Sequence, residues 1–247
     1  MTDRFDGRIA VVTGGSTGLG YGAAERLIAE GATVYIVGRR KVELDDAAAR
    51  LGPRAIAVPA DVTRNEDLDT LYGIVAERSG HVDVVVANAG RPTFGTIETY
   101  TGEELDASYG LNLRAVAFTV RKALPLMHDG GAVVLMSSIE GERGSEGLGA
   151  YAAMKAAQQS MARTWANELR SRHIRVNTIS PGVIYTPAFA SAGQSREQAE
   201  TVVPFIPAGR LGTEAEIGAA IAFLASDDAA FVNGTNLVVD GGQTEVV

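Results

Sequence analysis

The stretch Arg8-Ile9-Ala10-Val11-Val12-Thr13-Gly14-Gly15-Ser16-Thr17-Gly18-Leu19-Gly20 decides how the rest of the chain is read. Arg8–Thr13 reads as a buried strand. From Leu19 to Glu30 the pattern is helical, and Gly31 ends it. Between them lies a turn rich in glycine. There, glycines let the backbone approach a pyrophosphate, and the helix start offers free N–H groups and the positive end of its dipole. The spacing is G-x-x-x-G-x-G rather than G-x-G-x-x-G. A tight β-to-α turn without a ligand also uses glycine, so the turn alone does not decide function.

Outward from it, short apolar runs alternate with longer amphipathic ones. Strands are expected at Thr33–Val37, Ala55–Pro59, Val82–Ala87, Ala132–Ser137, Arg175–Ile179 and Asn236–Asp240. Helices are expected at Lys41–Leu51, Asn65–Ser79, Glu103–Leu126, Tyr151–Arg172 and Glu214–Ser226. Strands apolar on both faces belong to a parallel sheet covered on each side. With right-handed crossovers this is an α/β, doubly wound sheet of about seven strands in a single domain over residues 1–247. The least regular stretch, about Pro181–Arg210, reads as a binding loop.

Composition narrows the functions. The chain has 247 residues, 22 Lys+Arg against 30 Asp+Glu, and no Cys. The absence of Cys excludes disulfides, thiolate metal sites and a cysteine nucleophile. A net charge of −8 argues against nucleic-acid binding, which needs clustered basic residues. The N-terminal residues have no apolar core, so no signal peptide is expected. No apolar run approaches the roughly 20 residues of a membrane helix. The expectation is a cytoplasmic protein with neither membrane nor nucleic-acid partners.

Chemistry-bearing residues collect at strand ends. After the second strand come Arg39 and Arg40, where an NAD-binding fold usually carries an acid; guanidinium there suits the 2′-phosphate of NADP. Two solvated surface arginines are the alternative. Tyr151 and Lys155 are four apart, hence on one helix face. An ammonium beside a phenol favours the phenolate, tuning it as a general acid or base. Ser137-Ser138 ends the fifth strand, Asn88-Ala89-Gly90 the fourth, and Pro181-Gly182 follows the sixth. These ends share the sheet edge where open α/β sheets place ligands.

Taken together, TGGSTGLG, Asp61-Val62, NAG, Asn112, SS followed by YAAMK, PG and Val239-Asp240-Gly241-Gly242 make the sequence resemble a short-chain dehydrogenase/reductase over its whole length. The resemblance implies a Rossmann-type sheet and a catalytic tetrad of Asn112, Ser138, Tyr151 and Lys155. Tyr151 would exchange a proton with the substrate oxygen, Ser138 would hydrogen-bond that oxygen, Lys155 would lower the tyrosine pKa and hold the nicotinamide ribose, and Asn112 would anchor a water relay. It also implies cofactor contacts from Gly14, Ser16, Thr17, Gly18, Leu19 and Gly20 at the phosphates, Asp61 and Val62 at adenine, Asn88, Ala89 and Gly90 along the adenosine, and Pro181, Gly182, Val183 and Thr186 toward the carboxamide. NADP(H) is preferred on Arg39 and Arg40, with NAD(H) possible. A homotetramer is implied, to which the sequence adds only the Thr244–Val247 tail.

The substrate is less legible. Arg91–Phe94, Ile139–Leu148 and the Phe189–Phe205 loop should wall the pocket, with Phe94, Ile139, Leu148 and Phe189 as apolar candidates. Arg91 and Arg143 could steer a carboxylate or phosphate, but solvated loop charge is the preferred reading. A small carbonyl, alcohol or polyol ranks above an acyl-carrier substrate, for which Arg170 and Arg172 remain as docking charges. The readings are an NADP(H)-dependent carbonyl reductase or alcohol dehydrogenase, an NAD(H)-dependent alcohol/polyol dehydrogenase, a 3-oxoacyl-acyl-carrier-protein reductase, and a non-catalytic NADP(H) sensor. His81, His128 and His173 lie far apart in sequence and match no metal spacing, so no metal site is expected. Asp61, Asp83 and Asp240 form no obvious acid pair.

Overall fold

The computed structural model describes residues 3–187, 189 and 195–244. Strands β1 Ile9–Thr13, β2 Thr33–Gly38, β3 Ala55–Pro59, β4 Val82–Ala87, β5 Met127–Met136, β6 Arg175–Pro181 and β7 Asn236–Val239 form one sheet. Its order is β3-β2-β1-β4-β5-β6-β7, and every pairing is parallel. The direction of winding reverses between β1 and β4, so the ligand crevice of such a sheet lies at their carboxyl ends.

Alternation within each strand feeds two cores. Ile9, Val11 and Val85 point to one face, under Leu68, Leu71 and Val75 of helix α3 (Asn65–Ser79), Val116 and Val120 of α5 (Ala115–Ala123), and Ala162 of α6 (Gly149–Glu168). Ala10, Val12 and Val86 point to the other, under Ala23 and Leu27 of α1 (Gly18–Ala29), Leu44 of α2 (Lys41–Leu51), and Ile217 and Ile221 of α8 (Glu214–Ala225). This explains why the strands read as unbroken apolar runs.

Four elements differ from the sequence expectation. Strand β5, expected over Ala132–Ser137, runs over Met127–Met136, its first residue paired to β4 ahead of a register slip. The continuous helix expected over Glu103–Leu126 is α4 (Gly102–Tyr109), a π turn at Gly110–Arg114, and then α5. The sixth helix ends at Glu168, and a separate 3-10 turn covers Arg170–Arg172. The irregular loop holds a short helix α7 (Arg196–Glu200) and a 3-10 turn at Val203–Phe205. Residues 188 and 190–194 of that loop, and residues 245–247 of the tail, lie outside the described residues. Among the described residues no helix is long and apolar enough to cross a membrane.

Helices α1 and α8 touch backbone to backbone. A Cβ built on Gly218 would sit 2.4 Å from the Gly22 carbonyl oxygen. Alanine gains up to about 1 kcal/mol over glycine in helix propensity, but overpacking costs about 1–3 kcal/mol. Steric cost should win: Gly218→Ala is expected to lower the urea midpoint, and a rise would show that the two helices part freely.

Candidate active site

The glycine turn is locked to the end of β4. Backbone N–H groups of Asn88 and Ala89 each donate to Thr13 Oγ1 at 3.0 Å, and Asn88 Nδ2 donates to the Thr13 carbonyl at 2.8 Å. A Cβ on Gly20 would lie 2.2 Å from the Gly14 oxygen, and Gly14 itself has φ +65°. Only glycine fits that cradle. Thr17 caps α1 without a side-chain hydrogen bond, and the first turn carries no acid. By contrast, α4 and α8 close their ends with capping boxes. The N–H groups at the start of α1 therefore have no side-chain acceptor of their own, which suits an anionic phosphate. Buried Thr186 lies against Gly18, so the segment after β6 closes on the same helix start.

At the adenine end, Asp61 accepts from the Thr63 N–H and hydroxyl at 2.9 and 2.7 Å. Burial opposes its ionisation, but these bonds and the charges of Arg39 and Arg64 hold its carboxyl below the usual range. Arg39 lies 3.9 Å from Asp61, and Arg40 pairs with Glu43 at 2.5 Å. Both guanidiniums stay largely exposed at the end of β2. Past β6, the Gly182 N–H donates to Val239 at 3.0 Å and the Val183 carbonyl accepts from Gly212 at 3.2 Å, fixing Pro181–Val183 beside β7.

The tetrad positions converge around buried Lys155. Its Nζ donates to the Met136 carbonyl at 2.5 Å and stands 5.4 Å from the Tyr151 ring centre. Ser137 Oγ donates to the Lys155 carbonyl at 3.1 Å, pinning α6 to β5. Wholly buried Asn112 sits in the π turn, a feature often found at functional sites. Its Oδ1 accepts from Arg91 N at 3.0 Å, and its Nδ2 donates to the Arg91 carbonyl at 3.1 Å. A Cβ on Gly90 would meet Asn112 Oδ1 at 2.8 Å and Lys155 Nζ at 3.5 Å, so these three residues adjoin. Ser138 Oγ accepts the Glu140 N–H at 3.2 Å, which leaves its own O–H free to donate.

Burial pushes the Tyr151 phenol up to about 12, opposed by the Ser138 hydroxyl and reinforced by the charge of Glu140. Burial also pushes Lys155 down, to about 7. Glu140 was missed as a site residue. Its position in a charged segment two residues past Ser138 was the available signal, but not the direction it faces.

Of the substrate candidates, Ile139 is buried. Leu148 and Phe189 are half-buried, and the Phe189 ring lies 6.3 Å from Tyr185. The Gly95 N–H donates to Gly147 at 2.8 Å, joining two of the expected pocket walls. Arg91 and Arg143 are exposed. Arg172 is not a free docking charge: it bonds Asp129 and the Leu124 and Met127 carbonyls. Nor are the histidines all apart, since His81 and His128 stack beside Asp83. A slip in β4–β5 register brings them together.

Comparison with known proteins agrees with this fold. The family model described as "Enoyl-(Acyl carrier protein) reductase" matches residues 14–244. The chain belongs to the short-chain dehydrogenase/reductase family of oxidoreductases. It is 42% identical to "Oxidoreductase asL5" of Sarocladium schorii, over 98% of each chain. It is 35% identical to "Meso-2,3-butanediol dehydrogenase" of Serratia marcescens, over 98% of this chain and 96% of that one. The crystal structure of levodione reductase superposes with a TM-score of 0.93 at 33% identity, covering 98% of this chain and 100% of that one. Family members use nicotinamide cofactors, and the glycine cradle with its open helix start fits the phosphates of such a group.

The lysine shift has a consequence for stability. Between about 7 and its ordinary 10.5, Lys155 binds fewer protons folded than unfolded. Stability from this residue therefore rises with pH across that window. Lys155→Met should flatten the wild-type rise in urea-unfolding free energy between pH 7 and 10; an unchanged slope would place the titration elsewhere.

Proposed function

We propose that this oxidoreductase interconverts a small neutral carbonyl compound and its alcohol, with NADP(H) as hydride partner and Tyr151 as general acid/base. The observation that carries the reading is the convergence of Tyr151, Ser138, buried Lys155 and Asn112 beside a glycine cradle open to phosphate. Bound nicotinamide would supply or accept the hydride; the protein supplies position and electrostatics. The α1 start, Asn88–Gly90 and Thr186 would hold the cofactor. Tyr151 would give its proton to the substrate oxygen in reduction and take it back in oxidation. Ser138, its oxygen already engaged by the Glu140 N–H, would donate to that same oxygen as charge develops. Lys155 would hold the ribose from beside Gly90. A phenol sitting near 12 needs the ammonium charge close by to reach a working value.

Arg39 and Arg40 carry the NADP(H) preference, as largely exposed guanidiniums, Arg39 beside Asp61 and Arg40 beside Glu43. The net charge of −8 and the engagement of Arg172 weigh against an acidic acyl-carrier partner. The similarity to a meso-2,3-butanediol dehydrogenase and to levodione reductase supports a small ketone or vicinal diol. A homotetramer belongs to the same proposal, supported by the open β7 edge and fully exposed Phe231 just before it.

Tyr151→Phe is expected to lower kcat/KM by at least about 100-fold, the scale of general acid–base catalysis, while the cofactor still binds. Near-full turnover would overturn the mechanism; tight NADPH binding with no wild-type turnover would favour a sensor. Arg39→Ala with Arg40→Ala is expected to weaken NADPH about tenfold, the size of one charged hydrogen bond, and NADH little. Equal losses in a fluorescence titration would mean that an NAD(H) enzyme is the better reading.

A further inference from the structure

We propose that His81, Asp83 and His128 form a binding site for a divalent transition-metal ion of the zinc class, at the edge of the sheet opposite the catalytic one. The three residues come together through strand register. Val82 of β4 pairs with Met127 of β5, but Val84 pairs with Ala132, so β5 bulges over His128–Gly131. The bulge sets His128 against His81, with ring centres 4.2 Å apart and planes within 5°. One ligand atom from each of His81, Asp83 and His128 lies within 4.8 Å of the others.

Hydrogen bonding gives the cluster its direction. His81 Nδ1 is 3.0 Å from the Ser79 carbonyl oxygen, which can only accept, so Nδ1 carries the hydrogen. In the neutral ring, Nε2 then presents a lone pair, and it stands 3.2 Å from Asp83 Oδ2. Two acceptors at that distance need a cation or a proton between them. Protonating both rings would stack two imidazolium ions beside Arg8, whose guanidinium is 3.4 Å from the same carboxylate. His128 Nδ1 faces the other oxygen of the same carboxylate, 3.6 Å from Asp83 Oδ1. With exposed His128 rotated out of the stack, so that its ring plane meets that of His81, a single divalent ion serves both neutral rings and the carboxylate at once.

The donor chemistry fits. Two imidazoles and one carboxylate suit zinc, cobalt or nickel better than magnesium or calcium. Asp83 accepts from the Ile9 N–H at 2.8 Å and from Arg8, so about two of its roughly four lone-pair positions remain for a metal. The Ser79 carbonyl on the far nitrogen of His81 is the outer-shell partner that metal-bound histidines usually have. Asp83 is buried, and half-buried His81 and exposed His128 let an ion in and let His128 turn to close the remaining distance. The length of β4, about 20 Å at roughly 3.3 Å per residue, separates the site from the catalytic edge. Its role is to clamp the β4–β5 bulge.

The test uses the full chain without an affinity tag, stripped with chelator and titrated with Zn²⁺ by calorimetry, with melting followed in parallel. One zinc per chain is expected, with a rise in melting temperature. His81→Ala and His128→Gln should each weaken binding at least about tenfold and remove the melting shift. His173→Ala should bind as wild type, and His128→Gln should keep wild-type turnover. No saturable binding, or binding that survives both His81→Ala and His128→Gln, would overturn the site and leave a hydrogen-bonded histidine–aspartate cluster only.

Discussion

The proposed catalytic edge depends on one buried amine. Lys155 has almost no exposed surface, and its Nζ reaches the Met136 carbonyl across the gap between α6 and β5. Burying an ammonium is costly unless it is bonded, and the downward shift to about 7 records that cost. The surrounding contacts share one purpose. Ser137 holds the Lys155 carbonyl, Gln159 donates to Ser137 and Ser180, and a Cβ on Gly141 would press on the α6 backbone at 3.0 Å. Once α6 is seated this way, Tyr151, one turn earlier, must face the end of β5, where Ser138 stands.

The cofactor side rests on an analogous tie. Thr13 Oγ1 takes two N–H groups from the end of β4, so the glycine turn after β1 and the Asn88–Gly90 segment move as one body. Asn112 extends that body by holding both backbone groups of Arg91. The groups proposed to hold phosphate and to transfer the proton are thus positioned by strand ends on either side of the β1/β4 switch point. The opposite edge has its own tie, where Asp83 holds the first N–H of β1 and gathers His81 and His128.

Much of this was legible in the sequence, for identifiable reasons. Strands buried on both faces must be apolar throughout, so their runs stand out. The glycines of the turn and the Tyr151/Lys155 spacing are forced by sterics and helical period. What stayed hidden depends on three-dimensional pairing. Gly110–Arg114 continues the composition of a helix, and nothing local announces the π turn that carries Asn112. The β4–β5 slip belongs to neither strand alone, so the meeting of His81 with His128 could not be read. Arg172 looked free because its carbonyl partners, Leu124 and Met127, leave no side-chain signature. The high phenol value of Tyr151 comes from burial, which spacing does not reveal.

The central claim is that hydride moves between a nicotinamide and a carbonyl carbon at this site. The most direct test incubates the purified protein with NADPH deuterated at the transferring position of the nicotinamide and a panel of small ketones and vicinal diketones. The products are then examined by mass spectrometry and NMR. The account predicts one deuterium on the new carbinol carbon of at least one product. Tight NADPH binding with no deuterium delivered to any carbonyl carbon would contradict it.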